Sequence, residues 1–203
     1  MIDRLGEWVL REACAQFQKW QASGIALPRV GVNVSPRQFQ QKGFIDTLDK
    51  IVRDCGMQAS SLEVEITESL LLEATSTVEA MLRKLKSIGV QIALDDFGTG
   101  YSSLAYLKRF PVDVVKIDRS FVKDLPADEG SAAITAAIIA MAHALRKKVV
   151  AEGVATAEQA AFLRRLQCDH IQGYHLSVPL SPVDLAALIQ RTEDQIETTE
   201  LHA

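Results

Sequence analysis

Apolar residues recur along this chain with two alternating periods, and their order predicts an architecture. From Ile2 to Ser23, the residues Leu5, Trp8, Val9, Ala13, Phe17 and Trp20 share one stripe at helical spacing. That predicts an amphipathic helix with both tryptophans in the core, closed by Gly24. Val30, Val32 and Val34 then alternate with Gly31 and Asn33, a short strand. Phe44, Leu48, Ile51, Val52 and Cys55 return to helical spacing, and Gly56 stops them. Leu62 to Thr67 (LEVEIT) alternates strictly, with Glu63, Glu65 and Thr67 opposite the apolar set. A helix from Val78 to Ile88 stops at Gly89, and the apolar run Val90 to Leu94 follows. Further along come a short helix (Leu104 to Arg109), a strand VDVVKID ending at Asp118, and a polar loop from Lys123 to Gly130. An alanine-rich helix (Ser131 to Leu145) precedes a strand at Lys148 to Ala151. Thr156 then caps a helix carrying Ala157, Ala160, Leu163 and Leu166. His170 to Leu176 reads as the last strand, and Ser181-Pro182 opens a final helix ending at Arg191.

A helix followed by six strand-plus-helix units implies a parallel sheet with right-handed crossovers, an α/β fold. Polar residues gather at or just after the strand ends: Asn33, Glu65, Asp95, Asp96, Lys116, Glu152 and Gln172. A (β/α) barrel of TIM type places its active site at that face. A doubly wound sheet would also put ligands there, at a switch point. Six contributing strands favour the barrel, because convergence on one mouth needs a curved ring. A complete barrel has eight strands in about 250 residues, so an incomplete one is expected here, lacking strands at its start. Exposed sheet edges would invite pairing with a second copy, and a homo-oligomer is expected on that ground.

Composition narrows the function classes. Of 203 residues, 48% are hydrophobic and 24% charged, which is ordinary for a globular protein with one sizeable core. The formal net charge of −4 and the lack of a basic stripe argue against a duplex nucleic-acid surface. No apolar run is long enough to span a bilayer and the N-terminus does not read as a signal peptide, so a cytoplasmic chain without membrane contact is expected. Cys14, Cys55 and Cys168 lack metal-ligand spacing and read as reduced packing residues; His170 and His175 read as structural.

The candidate chemistry centres on IALDDFGTGYSSL. Here a strand ends in two adjacent acids and runs into a turn containing Gly98, Thr99, Gly100, Ser102 and Ser103. Adjacent carboxylates raise each other's pKa unless a cation intervenes; the competing reading is a helix cap with turn residues. Asn33 is a turn former or a ligand, and Asp118 reads as a turn or cap residue. In a barrel Glu65 would point inward at the mouth. Lys116, interrupting an apolar strand, needs a carboxylate partner and is an acid–base candidate.

Six ordered motifs resemble one family. They are NVS at Asn33, EITES at Glu65 to Ser69, DDFGTGYSSL at Asp95 to Leu104, KID at Lys116 to Asp118, AEGV at Ala151 to Val154 and QGY at Gln172 to Tyr174. The chain from Ile2 to Leu188 is similar to the EAL domain, which hydrolyses the bacterial second messenger cyclic di-GMP to linear pGpG. The resemblance implies two Mg²⁺ or Mn²⁺ ions. Asn33, Glu65 and Asp95 would bind one, and Asp95 with Asp96 and Glu152 the other. A shared carboxylate would set the ions roughly 3.5–4 Å apart, astride the attacking and leaving oxygens. Lys116 resembles the base or water-orienting residue, and Gln172 a water contact, so Lys116, Glu152 and Gln172 form the expected catalytic set. Glu68 resembles the residue anchoring the loop after Asp96. Asp118, Gly173 and Tyr174 would contact substrate.

The chain also departs from the family. The Glu-Ala-Leu segment that names it, with a glutamate completing the first metal site, is absent together with the strands that carry it. Ala155 stands where AEGVE has a second glutamate, and Val178 where a basic residue is common. These departures keep a second function open: a non-catalytic domain that binds cyclic di-GMP or a protein partner as a signalling module. Another metal-using barrel enzyme would explain the acids but not the order of the motifs. Residues 1–191 are expected to form the EAL-type domain and 192–203 a polar, frayed tail. The longer parent is expected to carry sensory or GGDEF-type domains.

Overall fold

A computed structural model describes residues 2–72, 76–100 and 104–200. Six strands form one parallel sheet in chain order: β1 (Val30–Asn33), β2 (Leu62–Thr67), β3 (Gln91–Phe97), β4 (Val114–Ile117), β5 (Lys148–Ala151) and β6 (His170–Ile171). A doubly wound sheet reverses its order at a switch point; this one does not. The fold is therefore an incomplete TIM-like barrel, curled rather than closed, with β1 and β6 at its edges. The helices are α1 (Ile2–Ala22), α2 (Pro36–Phe39), α3 (Phe44–Asp54), α4 (Glu68–Leu72), α5 (Ser76–Ile88), α6 (Leu104–Arg109), α7 (Arg119–Val122), α8 (Glu129–Ala144), α9 (Ala157–Arg165) and α10 (Pro182–Glu200).

Strand alternation divides the sheet into two chemically distinct faces. Leu62, Val64, Ile66, Ile92, Leu94, Val115, Ile117 and Val149 are buried in the core with helix residues such as Leu48, Leu82 and Ile139. The opposite face carries Asn33, Glu63, Glu65, Asp95 and Lys116. Glu63, low on that face, is buried and neutralised by Arg29 at 2.9 Å. Below the strands, one device occurs twice. The Asp113 carboxylate accepts the Ile92 N–H of β3 at 2.8 Å and the Lys86 ammonium from α5 at 2.7 Å. The Asp169 carboxylate accepts the Val149 N–H of β5 at 2.8 Å and meets His143 Nε2 of α8 at 2.8 Å. Each acid leads into one strand and fastens the first amides of its neighbour, which fixes the register from which the upper ends are built.

Three expectations are corrected. The covered face of α1 is Leu10, Cys14 and Phe17, whereas Leu5 and Trp8 are each 57% exposed and Val9 is 38% exposed. This helix has apolar residues around much of its circumference, so periodicity leaves two overlapping stripes. Contact with α3 and β1 selects between them. Trp8 is thus not a core residue, while half-buried Trp20 donates its ring N–H to the Pro182 carbonyl at 3.1 Å. The last strand spans only His170–Ile171. Beyond it the chain turns, with the His175 N–H bonded to the Val154 carbonyl and the Leu176 N–H to the Gly173 carbonyl, so the HIQGYHL pattern is mostly turn. Finally, α10 continues through the polar segment to Glu200, past the expected stop at Arg191. All three cysteines are free, and burial pushes the Cys14 and Cys168 thiols up to about 11.

Candidate active site

The six strands deliver their polar residues to one end of the sheet. Asn33, at the exposed end of β1, is the register partner of Glu65 on β2, and Thr67 is the partner of Asp95 on β3. Glu65 needs room beside β1, and Gly31 provides it. A Cβ there would lie 2.2 Å from Glu65 Oε1. A lone glycine inside a strand is the available signal for such close approach.

Two adjacent strand residues ordinarily face opposite ways, yet Asp95 and Asp96 serve one site. The cause is a bulge. Leu94 pairs with Val115 and Phe97 with Ile117, so Asp95 and Asp96 together stand opposite Lys116. Asp96 adopts φ 54°, the left-handed region that aspartate tolerates better than most residues. This re-aims the second carboxylate. Asp95, Asp96 and Glu152 each offer an oxygen, all within 4.8 Å of one another, a spacing that can hold a metal ion.

Lys116 is buried on β4 and meets three acids, with Nζ 2.5 Å from Glu65 Oε2, 2.7 Å from Glu152 Oε1 and 3.2 Å from Asp95 Oδ1. Burial opposes its charge, but hydrogen bonds to Glu152 and Glu65 outweigh that and hold its pKa above the usual lysine range. Burial pushes the Glu65 and Glu152 carboxyls up, and Lys116 pulls both back. Asp96 is raised by burial and by its neighbours Asp95 and Asp118. Asp95 Oδ1 is buried and, although within ion-pair reach of Lys116, makes no hydrogen bond among the described residues.

Glu68 opens α4 beneath the glycine turn. Its Oε2 accepts the amides of Gly98 at 3.1 Å and Gly100 at 3.4 Å. Ser102 and Ser103 lie outside the described residues. Asp118 caps α7 by accepting the Ser120 N–H at 2.9 Å, and these bonds hold its pKa below the usual range despite partial burial. Beside the acids opens a cleft of about 710 Å³, lined in part by Asp96, Asp118, Glu152, Gln172, Gly173 and Tyr174. Ala155 lies on the same cleft, while Val178 is exposed. Gln172 follows β6, its N–H bonded to the Ala151 carbonyl at 2.8 Å. Gly173 packs on backbone: a Cβ there would lie 2.2 Å from the Val154 carbonyl oxygen.

Three residues that shape or line this cleft escape sequence reasoning. Gln159, buried in the first turn of α9, accepts the Ala155 and Thr156 amides at 2.7 and 3.1 Å and donates to the Lys123 carbonyl at 2.9 Å. Its signal is the Thr156-x-x-Gln159 capping box. Arg119 and Lys123 also line the cleft, and nothing in the motif spacing marks them.

Comparison with known proteins finds relatives in both sequence and fold. The chain is 45% identical over 188 residues to the cyclic di-GMP phosphodiesterase NbdA of Pseudomonas aeruginosa, covering 93% of this chain and 24% of that protein. The solved PaMucR phosphodiesterase, in complex with c-di-GMP, superimposes with a TM-score of 0.87 at 42% identity, covering 91% of this chain and 74% of that one. Klebsiella pneumoniae BlrP1, solved in a calcium/cy-diGMP complex, gives a TM-score of 0.79 at 26% identity, covering 87% of this chain and 44% of that one. The chain spans about a quarter of the length of the curated relatives it matches. With the EAL domain pattern matching residues 1–179, this chain belongs to the EAL domain family.

Proposed function

We propose that this chain is the catalytic part of a cyclic di-GMP phosphodiesterase that opens the ring to linear pGpG, using divalent cations held by the strand-end carboxylates. The observation that carries the reading is the bulge-made cluster of Asp95, Asp96 and Glu152 beside a cleft large enough for a nucleotide. The residues suit a hard cation. All the donors are oxygens, as Mg²⁺ and Mn²⁺ prefer. Asp95 Oδ1 is buried without a hydrogen bond among the described residues, and Asp96 is pushed up by burial and then by repulsion from Asp95 and Asp118, which a cation would relieve. Asp95, Asp96 and Glu152 would hold one ion, and Asn33 and Glu65 would join Asp95 around another. Bound there, the cations would supply Lewis-acid polarisation of the phosphate and an acidified water.

The chain's own residues do the rest. The Lys116 ammonium, kept protonated by Glu152 and Glu65, donates: it orients the attacking water and stabilises charge developing on the phosphate oxygens. Glu152, hydrogen-bonded to that ammonium, is held at one angle to the cluster. Glu68 holds the Gly98 and Gly100 amides, and thereby the turn that follows Asp96. Gln172, Gly173 and Tyr174 form the wall against which a guanine or ribose would rest, and Asp118 lines the same cleft.

The second reading, binding without cleavage, is favoured by Ala155, which puts a methyl group where the cleft could carry another acid. Incubation of the chain with cyclic di-GMP and Mn²⁺, with chromatography of the products, separates the two. Linear pGpG formed by wild type and abolished in Asp95→Asn supports the hydrolase. Calorimetric binding with no product supports the binding module. Neither binding nor product overturns both.

A further inference from the structure

One part of the cleft's wall, beside the carboxylates, carries positive charge. The helix α7 and the loop after β5 present Arg119, Lys123 and Ala155 there, all exposed. This wall is held from behind. Gly153 has φ +70°, and a Cβ on it would lie 2.5 Å from Arg119 Cβ, so its lack of a side chain lets the root of Arg119 press on the loop that follows Glu152. Thr135, fully buried, donates to the Phe121 carbonyl at 3.3 Å. Gln159, only 4% exposed, ties the Lys123 carbonyl to the Ala155 and Thr156 amides. This short helix and Lys123, its C-cap, are thereby anchored through their backbone while the Arg119 and Lys123 side chains are left to the cleft.

Neither cation is fully engaged by the protein. Among the described residues the Arg119 guanidinium makes no hydrogen bond or close ion pair, though its charge helps hold the neighbouring Asp118 carboxyl below the usual range. The Lys123 ammonium lies 3.8 Å from Asp124, both well exposed, and such pairs contribute little. Asp118, the nearest acid in sequence, is occupied in capping α7.

We propose that Arg119 and Lys123 form an anion subsite for the uncleaved phosphate of a cyclic dinucleotide. The proposal rests on the phosphodiesterase reading above and adds a specificity site to it. A cyclic dinucleotide carries two phosphodiester charges on opposite sides of its ring. The reacting one meets Asp95, Asp96 and Glu152 and needs cations between. The other would meet Arg119 and Lys123, which line the same cleft and, among the described residues, make no ion pair closer than 3.8 Å. The arginine fork matches two phosphate oxygens, and lysine adds a point charge.

The test is calorimetric titration of the full chain with cyclic di-GMP in Ca²⁺, chosen because BlrP1 has been solved with calcium and the cyclic dinucleotide together. Wild type is compared with Arg119→Ala, Lys123→Ala, the double variant and Arg119→Lys, at low and at high salt. Losing two charge-assisted contacts should weaken binding by about ten- to a hundredfold in the double variant. Arg119→Lys should restore part of the loss, and the difference from wild type should shrink in high salt. The melting temperature and the Ca²⁺ titration without nucleotide should not change. Binding by the double variant within twofold of wild type overturns the subsite. So does a parallel loss of Ca²⁺ binding, which would make the two residues structural. A wild type that does not bind cyclic di-GMP overturns the phosphodiesterase reading itself, a result distinct from equal binding by both proteins.

Discussion

Removing the charge of Lys116 while keeping its stem, as in Lys116→Met, tests how the acid cluster is held together. The ammonium is buried and meets Glu65, Glu152 and Asp95 at 2.5, 2.7 and 3.2 Å. The acids keep 14%, 18% and 14% of their side-chain surface, so some hydration remains. Breaking a fully buried pair costs about 3–5 kcal/mol, because the surviving charge is left uncompensated; partial hydration points to the lower end. A ceiling exists as well. Protonating one glutamate at pH 7.5, starting from an ordinary value of about 4.3, costs roughly 4 kcal/mol, and the site can take that route instead. The expected loss in EDTA is therefore about 3 kcal/mol, a fall in melting temperature of roughly 6–12 °C for a domain of this size. Urea unfolding at pH 7.5 measures it. Repeating the titration in Mn²⁺ should narrow the gap between variant and wild type, because a bound cation replaces the missing charge. A loss below about 1 kcal/mol in EDTA, or a gap unchanged by Mn²⁺, would refute the view that this lysine is the internal counter-ion of the cluster.

Three other perturbations follow from the same geometry. Gly31→Ala should displace the Glu65 carboxylate, which gives way easily as the end of a flexible side chain; Mn²⁺ affinity measured by calorimetry should fall while the melting temperature stays within a few degrees. Gly173→Ala meets the Val154 backbone, which cannot swing aside, so a loss of about 1–3 kcal/mol in urea unfolding is expected. Asp169 is partly buried, but its bonds from His143 and the Val149 amide hold its pKa below the ordinary value. The sign of its effect follows: its stabilisation is whole above the unfolded value of about 3.9 and is lost as pH falls through the lowered folded value. Asp169→Asn should then be less stable than wild type near pH 7, with the difference closing in acid; a constant gap from pH 7 to pH 2 would count against it.

How much of this was legible beforehand differs by element. Asn33, Glu65, Lys116 and Glu152 can each be placed at or near a strand end, because period-2 alternation and the polar or turn-forming residues that follow each run are local signals. The outer stripe of α1 cannot be told from the inner one by period, because Leu5, Trp8 and Val9 satisfy the same spacing as Leu10, Cys14 and Phe17, and only neighbours in space distinguish them. The His170 to Leu176 pattern reads as a longer strand than the two residues that pair, because a turn held by the Val154 and Gly173 carbonyls leaves the apolar pattern intact.

The sequence by itself determined the order of strands and helices, the parallel sheet that order requires, and the acids waiting at the strand ends, since all of these depend on residues near one another in the chain. Tertiary structure alone decided which of those acids meet. Register between β3 and β4 places two aspartates against one lysine, the resulting bulge brings Asp96 beside Asp95 and Glu152, and Gly31 admits Glu65 from the next strand. Each of these depends on pairing between segments distant in sequence, where backbone geometry rather than residue type sets the direction of a carboxylate.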